Sequence, residues 1–278
     1  MNRADLHTHT TASDGLFSPE ELVIAASKVG LAAVAVTDHD TVAGVEDAMR
    51  AGVKWGIDVI PGVEISTLAG EKEIHVLGYF GGEIDQEFVE KLRSLRDVRR
   101  KRNEMIVEKL RELGIPITME EVMAKKRGQS PEANVGRPHI AEVLVDKGIV
   151  SSIGEAFDRF LGKNGAAYCT PRRISPIEAI RWISEADGIP VLAHPGIYGD
   201  DDLVENLIQN GLAGLEVYHP DHDTAAERRY EAMARKYRLL ITGGSDFHGE
   251  RHGIAHHGPL GSRTVGLDNV KALYLKRK

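Results

Sequence analysis

The chain has 278 residues, 42% of them hydrophobic and 28% charged, which supports one large α/β domain or a core domain carrying a smaller one and excludes a disordered chain. A formal net charge of −7 argues against a protein that coats nucleic acid by neutralising phosphates, and a single cysteine, Cys169, excludes an internal disulfide. No apolar run approaches the ~20 residues of a membrane span, and the N-terminus lacks the apolar stretch of a secretory signal, so a cytoplasmic location is expected.

Ala4 to Leu6 is a strand candidate ending at His7. Ser18-Pro19-Glu20-Glu21 then supplies an N-cap Ser, a Pro at N1 and a Glu at N3, and Leu22, Ala25, Ala26 and Val29 follow at helical spacing before Gly30. The run Leu31 to Val36 predicts a strand buried on both faces of a parallel sheet. A second helix is expected over Val45 to Lys54, a third strand leads from Val59-Ile60 toward Glu64, and Ile74 to Phe80 predicts a fourth. The rhythm then changes. A long charged amphipathic helix is expected from Asp85 to Leu113, stopped by Gly114 and Pro116, with further helical segments near 120–126, 138–147 and 153–161. After Thr170 the alternation resumes: helices near 175, over 202–210 and over 224–236, and strands at 189–193, 214–217 and 239–242.

This alternation predicts an α/β barrel or doubly wound sheet formed by residues 1–80 and 171–278, with 81–170 as a helical insertion on one βα connection covering the site. The insertion carries 16 Lys/Arg against 15 Asp/Glu, whereas the rest of the chain is acidic.

Ionisable residues gather at the strand ends. His7 and His9 follow the first strand, Asp38 and His39 the second, Glu64 the third and His194 the 189–193 strand; Glu216 lies late in its strand, and Asp246 and His248 follow the last. In a parallel barrel those ends share one face, where active sites form. Only His75 departs, standing near the start of its strand. His-x-His on an extended segment points both imidazoles to one side. Imidazoles combined with Asp and Glu oxygens suit Zn²⁺, Mn²⁺ or Fe rather than Ca²⁺ or Mg²⁺. Taken singly, His7-Thr8-His9 is an ordinary pair, Asp38-His39-Asp40 a capping turn and Asp14-Gly15 a tight turn. Their joint placement at strand ends points to a metal site.

These segments, His7-Thr8-His9 with Ser13-Asp14-Gly15, Thr37-Asp38-His39-Asp40, Gly62-Val63-Glu64, Ala193-His194-Pro195 and Gly244-Ser245-Asp246-Phe247-His248, resemble in order the motif series of the PHP (polymerase and histidinol phosphatase) family. The resemblance implies a distorted (β/α)7 barrel with an inserted small helical domain, up to three divalent metals (Mn²⁺ foremost, Fe or Zn²⁺ otherwise) and phosphate-ester hydrolysis. It implies one metal on His7, His9, Glu64 and Asp246, a second on Glu64, His75 and His194, and a third on Asp14, His39 and His248, with Glu64 bridging. Asp14, His39, Glu64, His194 and Asp246 would be the catalytic set. Phosphate anions repel nucleophiles, so hydrolysis needs cations on the phosphoryl oxygens and a deprotonated water, here expected as a hydroxide between two metals.

The other histidines divide. His252, His256 and His257, in a Gly/His-rich loop, are expected in solvent, whereas His219 and His222 could face substrate. In the insertion, Arg137 stands ahead of a helix start with fork geometry for phosphate, followed by His139, and Lys163 is a further cation for substrate. Arg99-Arg100-Lys101-Arg102 reads as a solvated helix face. Arg137-Pro138-His139, Phe157-Asp158-Arg159-Phe160-Leu161 and Gly214-Leu215-Glu216-Val217-Tyr218-His219 resemble the family's subgroup with a helical insertion. Its implied activities are 3′,5′-nucleoside bisphosphate phosphatase and 5′→3′ exoribonuclease on short RNA. The expected substrate is thus a small phosphorylated molecule, a nucleoside 3′,5′-bisphosphate foremost, with short RNA or a histidinol-phosphate-like ester as rivals. Neither a membrane nor an obligate protein partner is expected. A non-catalytic or proofreading module working with a polymerase is the reading from a different class.

Overall fold

The computed structural model describes residues 2–126, 134–251, 254–255 and 257–275. Seven strands, β1 (Arg3–Asp5), β2 (Ala33–Val36), β3 (Asp58–Ala69), β4 (Lys72–Tyr79), β5 (Ile189–Leu192), β6 (Gly214–Tyr218) and β7 (Leu240–Gly243), pair in chain order. The seam between β7 and β1 is bridged by the Leu6 amide donating to the Gly243 carbonyl at 3.1 Å and by a parallel bridge from Thr8 to Phe247. A short strand, Val265–Gly266, pairs antiparallel with β1 from outside this ring. The result is a distorted α/β barrel.

Six of these strands run parallel. The fourth is inverted, pairing antiparallel with both β3 and β5. β3 continues past Glu64 to Ala69 and turns through Gly70, at φ +60°, into β4. The inversion resolves the odd placement of His75. In an antiparallel strand the first residues lie at the end where its parallel neighbours finish, and His75 pairs with Ser66, two residues beyond Glu64.

Helices cover the barrel: α1 (Pro19–Lys28), α2 (Val45–Trp55), then, after the insertion, α7 (Pro176–Glu185), α8 (Pro195–Tyr198), α9 (Asp201–Gln209), α10 (Thr224–Tyr237) and α11 (Leu267–Leu275). The start of α1 carries a capping box, with Ser18 Oγ accepting from the Glu21 amide at 3.3 Å and the Ser18 amide donating to Glu21 Oε2 at 2.8 Å. Leu22, Val23 and Ala26 bury its inner face against Val34 and Val36 of β2. Full burial of each large aliphatic side chain contributes ~1.5–3 kcal/mol. The sequence patterning did not reveal α11, which follows a short strand and covers the barrel beside β1 and β7.

Between the strands lies α3 (Gln86–Glu112), followed by α4 (Met119–Met123), α5 (Arg137–Asp146) and α6 (Ile153–Ala156), which passes into one π-helical turn at Phe157–Leu161. α3 belongs to two cores. Phe88, Leu92 and Leu95 pack with barrel residues such as Val76 and Ile183, whereas Ile106, Val107 and Leu110 pack with Ile140, Leu144, Phe160 and Cys169. Among the described residues, no helix is long and apolar enough to cross a membrane.

Candidate active site

At the end where the parallel strands finish, the side chains of His7, His9, Asp14, His39, Glu64, His75, His194, Asp246 and His248 stand together. Glu64 is central and buried. Its Oε2 lies 3.4 Å from His7 Nε2, 3.2 Å from His9 Nε2 and 3.0 Å from His39 Nδ1. Its Oε1 lies 2.8 Å from His75 Nδ1 and 3.3 Å from His194 Nε2. Asp246 Oδ1 stands 3.4 Å from His7 Nε2 and 3.1 Å from His9 Nε2. Asp14 faces His248 at 3.4 Å and His39 at 4.0 Å.

The backbone is shaped to deliver these groups. His194 and Asp246 adopt φ of +31° and +50°, a conformation that costs non-glycine residues free energy and is found at functional sites. The loop after β1 is braced by Asp38, which accepts from the Thr10 amide (2.8 Å), Thr10 Oγ1 (2.7 Å) and Ser13 Oγ (2.6 Å). The loop after β7 is tied to β1 by Asp5, which accepts from the Ser245 amide (2.9 Å), Ser245 Oγ (2.6 Å) and the Gly261 amide (2.8 Å). Burial outweighs those hydrogen bonds and pushes the Asp5 pKa up to about 6.

The donor set suits metal ions. His7 Nε2, His9 Nε2, His39 Nδ1, Glu64 Oε2, His75 Nδ1 and Asp246 Oδ1 are buried without a hydrogen-bond partner, a costly arrangement unless a cation completes it. Ligands ~2.0–2.2 Å from a shared metal lie roughly 3.0–3.5 Å from one another, matching these nitrogen–oxygen separations. Compact groupings are His7, His9, Glu64 and Asp246; His9, Asp14, His39 and His248; and His39, Glu64 and His75. The last differs from the expected partition, because His39 points Nδ1 at Glu64 while His194 reaches the other Glu64 oxygen.

Charge in the metal-free cluster is strongly coupled. Burial disfavours a proton on His9, yet Asp246 and Glu64 outweigh it and raise its pKa to about 10; Glu64 and Glu73 similarly raise His75 to about 9. Burial prevails at His194, lowering it to about 4. Burial alone would raise Glu64, Asp14 and Asp246, but the surrounding imidazoles hold all three well below the usual carboxylate range.

A cavity of about 250 Å³ opens onto this cluster. Its wall also carries Arg99, Arg102 and Arg137, together with Glu73, Phe157 and Tyr198. The expected solvated face is therefore corrected at two positions. Arg99 is buried, donating to Asp40 Oδ2 at 2.7 Å and to Ser66 Oγ at 2.7 Å, and Arg102 is 2% exposed beside Glu73. Arg100 and Lys101 do face solvent.

The expected substrate residues separate. Arg137 lines the cavity, with Nη2 2.7 Å from Glu73 Oε2 and its guanidinium carbon 5.9 Å from the Phe157 ring centre; the π-helical turn positions that ring. His139 is buried off the cavity, its Nδ1 accepting from the Gly136 amide at 3.1 Å, so it caps its own helix. Lys163 is exposed beside a neighbouring surface hollow rather than the cluster. His219 is wholly buried, with Nε2 3.3 Å from Asp246 Oδ2, in a further grouping with Asp246 and His257 whose ligand atoms could hold a metal ion. His222 is used structurally: its Nε2 accepts from the Gly196 amide and its Nδ1 donates to the Val217 carbonyl.

Two residues given no role in the expected site belong to it. Glu216 is buried beneath His7, with Oε1 3.0 Å from His7 Nδ1, and accepts from the His194 amide at 2.9 Å. Its position late in β6 groups it with the strand-end residues, but not with a metal ligand. His257, expected in solvent, lines the cavity with Nδ1 2.6 Å from Asp221 Oδ2 and Nε2 3.3 Å from Asp246 Oδ2. His252 and His256 lie outside the described residues.

The PHP domain profile matches residues 5–125. The chain is 33% identical to a phosphoribosyl 1,2-cyclic phosphate 1,2-diphosphodiesterase from Eggerthella lenta, over 91% of this chain and 97% of the relative. It is 34% identical to the 5′-3′ exoribonuclease Rnm of Escherichia coli (88% and 84% covered). Identity to a 3′,5′-nucleoside bisphosphate phosphatase from Chromobacterium violaceum is 31% (91% and 90% covered). Among solved structures, a metal-dependent phosphoesterase from Bifidobacterium adolescentis superposes with a TM-score of 0.90 at 32% identity, covering 99% of this chain and 96% of the other.

Proposed function

Since the chain belongs to the PHP family of metal-dependent phosphoesterases and is a phosphoric ester hydrolase, we propose that it acts on a small nucleotide bearing two phosphates, with nucleoside 3′,5′-bisphosphate to 5′-monophosphate plus phosphate as the preferred reaction. One observation carries this reading. A single cavity is lined both by unpartnered metal-type donors and by Arg102 and Arg137, so two anionic groups of one molecule have separate partners. The relative from Chromobacterium violaceum is named for such a substrate.

Bound metals, held by His7, His9, Asp14, His39, Glu64, His75, His194, Asp246 and His248, would supply Lewis acidity and an activated water. The chain's own residues do the rest. Glu216 accepts from His7 Nδ1, fixing the tautomer so that the Nε2 lone pair faces the cluster. Arg137 offers a fork to a phosphate oxygen, Phe157 and Tyr198 exclude water, and Asp221 holds the His257 ring at the mouth of the cluster. Mn²⁺ is the metal proposed first.

The test is phosphate release across a panel with Mn²⁺: nucleoside 3′,5′-bisphosphate, nucleoside 3′-monophosphate, short 5′-phosphorylated RNA, phosphoribosyl 1,2-cyclic phosphate and histidinol phosphate. The bisphosphate should give the highest kcat/KM. Faster turnover of the RNA or the cyclic ester would replace this reading.

A further inference from the structure

Glu73 is the meeting point of three guanidinium groups. Its Oε2 lies 2.7 Å from Arg137 Nη2, and its Oε1 lies 2.6 Å from Arg173 Nη1 and 3.7 Å from Arg102 Nη1. These groups come from distant parts of the chain: Glu73 from β4, Arg102 from the middle of α3, Arg137 from the first turn of α5 and Arg173 from the segment before α7. Among the described residues, no other carboxylate oxygen lies within 4.0 Å of the three guanidiniums. Three positive charges against one negative leave a surplus of two.

That surplus sits where water cannot easily offset it. Arg102 is almost wholly buried, and its Nε has no hydrogen-bond partner. Arg173 is 6% exposed and Arg137 19% exposed. Uncompensated guanidiniums in such surroundings cost several kcal/mol each, an arrangement that makes sense when a ligand supplies the missing anion. Glu73, Arg102 and Arg137 all line the cavity, and Glu73 Oε1 is 3.9 Å from Nε2 of His75, whose Nδ1 contacts Glu64. One imidazole therefore separates the arginine group from the metal cluster.

We propose that Glu73, braced from outside the cavity by Arg173, is a specificity-determining residue that gathers Arg102 and Arg137 into a binding site for a phosphate dianion on the part of the substrate that is not hydrolysed. Glu73 cancels one charge and leaves two, which a phosphate monoester at neutral pH matches and a phosphodiester, with one charge, does not. Arginine forks suit phosphate oxygens in pairs, whereas the carboxylate fixes the separation of the forks. The inference rests on the two-phosphate reading above. It adds which residues select the second phosphate, and why a terminal phosphate is preferred to the backbone of a longer strand.

The experiment uses the metal-loaded protein and two readouts. Calorimetry measures binding of a nucleoside 5′-monophosphate, and steady-state kinetics compares nucleoside 3′,5′-bisphosphate with the 3′-monophosphate. For Arg137→Ala we expect affinity for the 5′-monophosphate to fall at least tenfold, and kcat/KM to fall at least tenfold further on the bisphosphate than on the monophosphate, through KM. Arg137→Lys should recover only part, since an ammonium lacks the fork. Glu73→Gln raises the surplus from two charges to three and releases the forks, and should shift discrimination between terminal phosphate and phosphodiester ligands at least fivefold. Equal losses on both substrates for Arg137→Ala, or unchanged discrimination in Glu73→Gln with metal content intact, would overturn the proposal. If wild-type protein binds the 5′-monophosphate but hydrolyses no bisphosphate, the functional reading fails while the arginine site stands.

Discussion

His7 Nδ1 lies 3.0 Å from Glu216 Oε1, and both side chains are wholly buried. This contact turns the imidazole so that Nε2 faces Glu64 and Asp246. Removing the partner of a ligating histidine typically weakens metal binding or activity about 10–100-fold. Glu216→Ala should therefore lower metal affinity and kcat within that range, with Glu216→Gln milder because its amide oxygen still accepts. Metal titration alongside phosphate release checks this. Unchanged metal affinity in Glu216→Ala would show that the contact does not orient His7.

Glu64 presents one oxygen to His7, His9 and His39 and the other to His75 and His194. Glu64→Ala should remove more than one equivalent of metal together and abolish phosphate release. Elemental analysis of dialysed protein provides the count. Loss of a single equivalent would limit Glu64 to one ion.

Metal uptake should depend on pH in a defined direction. In the metal-free cluster His9 and His75 keep their protons up to about pH 10 and about pH 9, held against burial by Asp246 and Glu64 at His9 and by Glu64 and Glu73 at His75. Folded-state values above the ordinary 6.5 stabilise the metal-free protein fully below that pH and less as pH climbs through 9 and 10. Metals require neutral imidazoles, so affinity should rise over the same interval and binding at pH 7 should release protons. Calorimetry in buffers of different ionisation enthalpy measures that release. A binding enthalpy independent of buffer would contradict it.

Arg99 and Asp40 form a buried pair, with Arg99 Nη2 2.7 Å and Nε 3.0 Å from Asp40 Oδ2. Arg99→Met leaves the Asp40 charge buried without that partner and should cost roughly 3–5 kcal/mol of stability. Arg99→Met combined with Asp40→Asn should recover much of it. Urea unfolding of the single and double variants checks the sign, and additive losses would show that the two do not act as a pair.

Gly244 is packed against the first metal-binding loop. A Cβ there would stand 2.4 Å from His7 Cβ and 2.4 Å from the His7 nitrogen, a clash with backbone. Gly244→Ala should displace His7, cost about 1–3 kcal/mol and reduce metal content, whereas Gly70→Ala, with open space around its Cβ but a positive φ, should affect stability alone. Parallel thermal melts and metal analysis separate the two.

Much of the barrel and the gathering of its histidines was legible because strand ends are local signals: an apolar run, then an ionisable residue. Three features were not. The inversion of β4 depends on pairing with both β3 and β5, so His75 looked misplaced until that pairing was known. Arg99 and Arg102 carry the same local signature as Arg100 and Lys101; only the distant acids Asp40 and Glu73 distinguish them. His139 and His219 sit beside site residues in sequence, yet one caps a helix and the other packs against Asp246. Charge and spacing mark chemistry well, but which side of a helix or loop meets the cavity is decided by partners far along the chain.

α3 spans 27 residues, a rod of ~40 Å, and is anchored at one end in the barrel core and at the other in the core of the insertion. Its midpoint carries Arg99 and Arg102. Such a double-anchored beam cannot swing at its centre without disturbing both cores, so Arg99 and Arg102 are clamped in the cavity wall like the fixed jaw of a caliper.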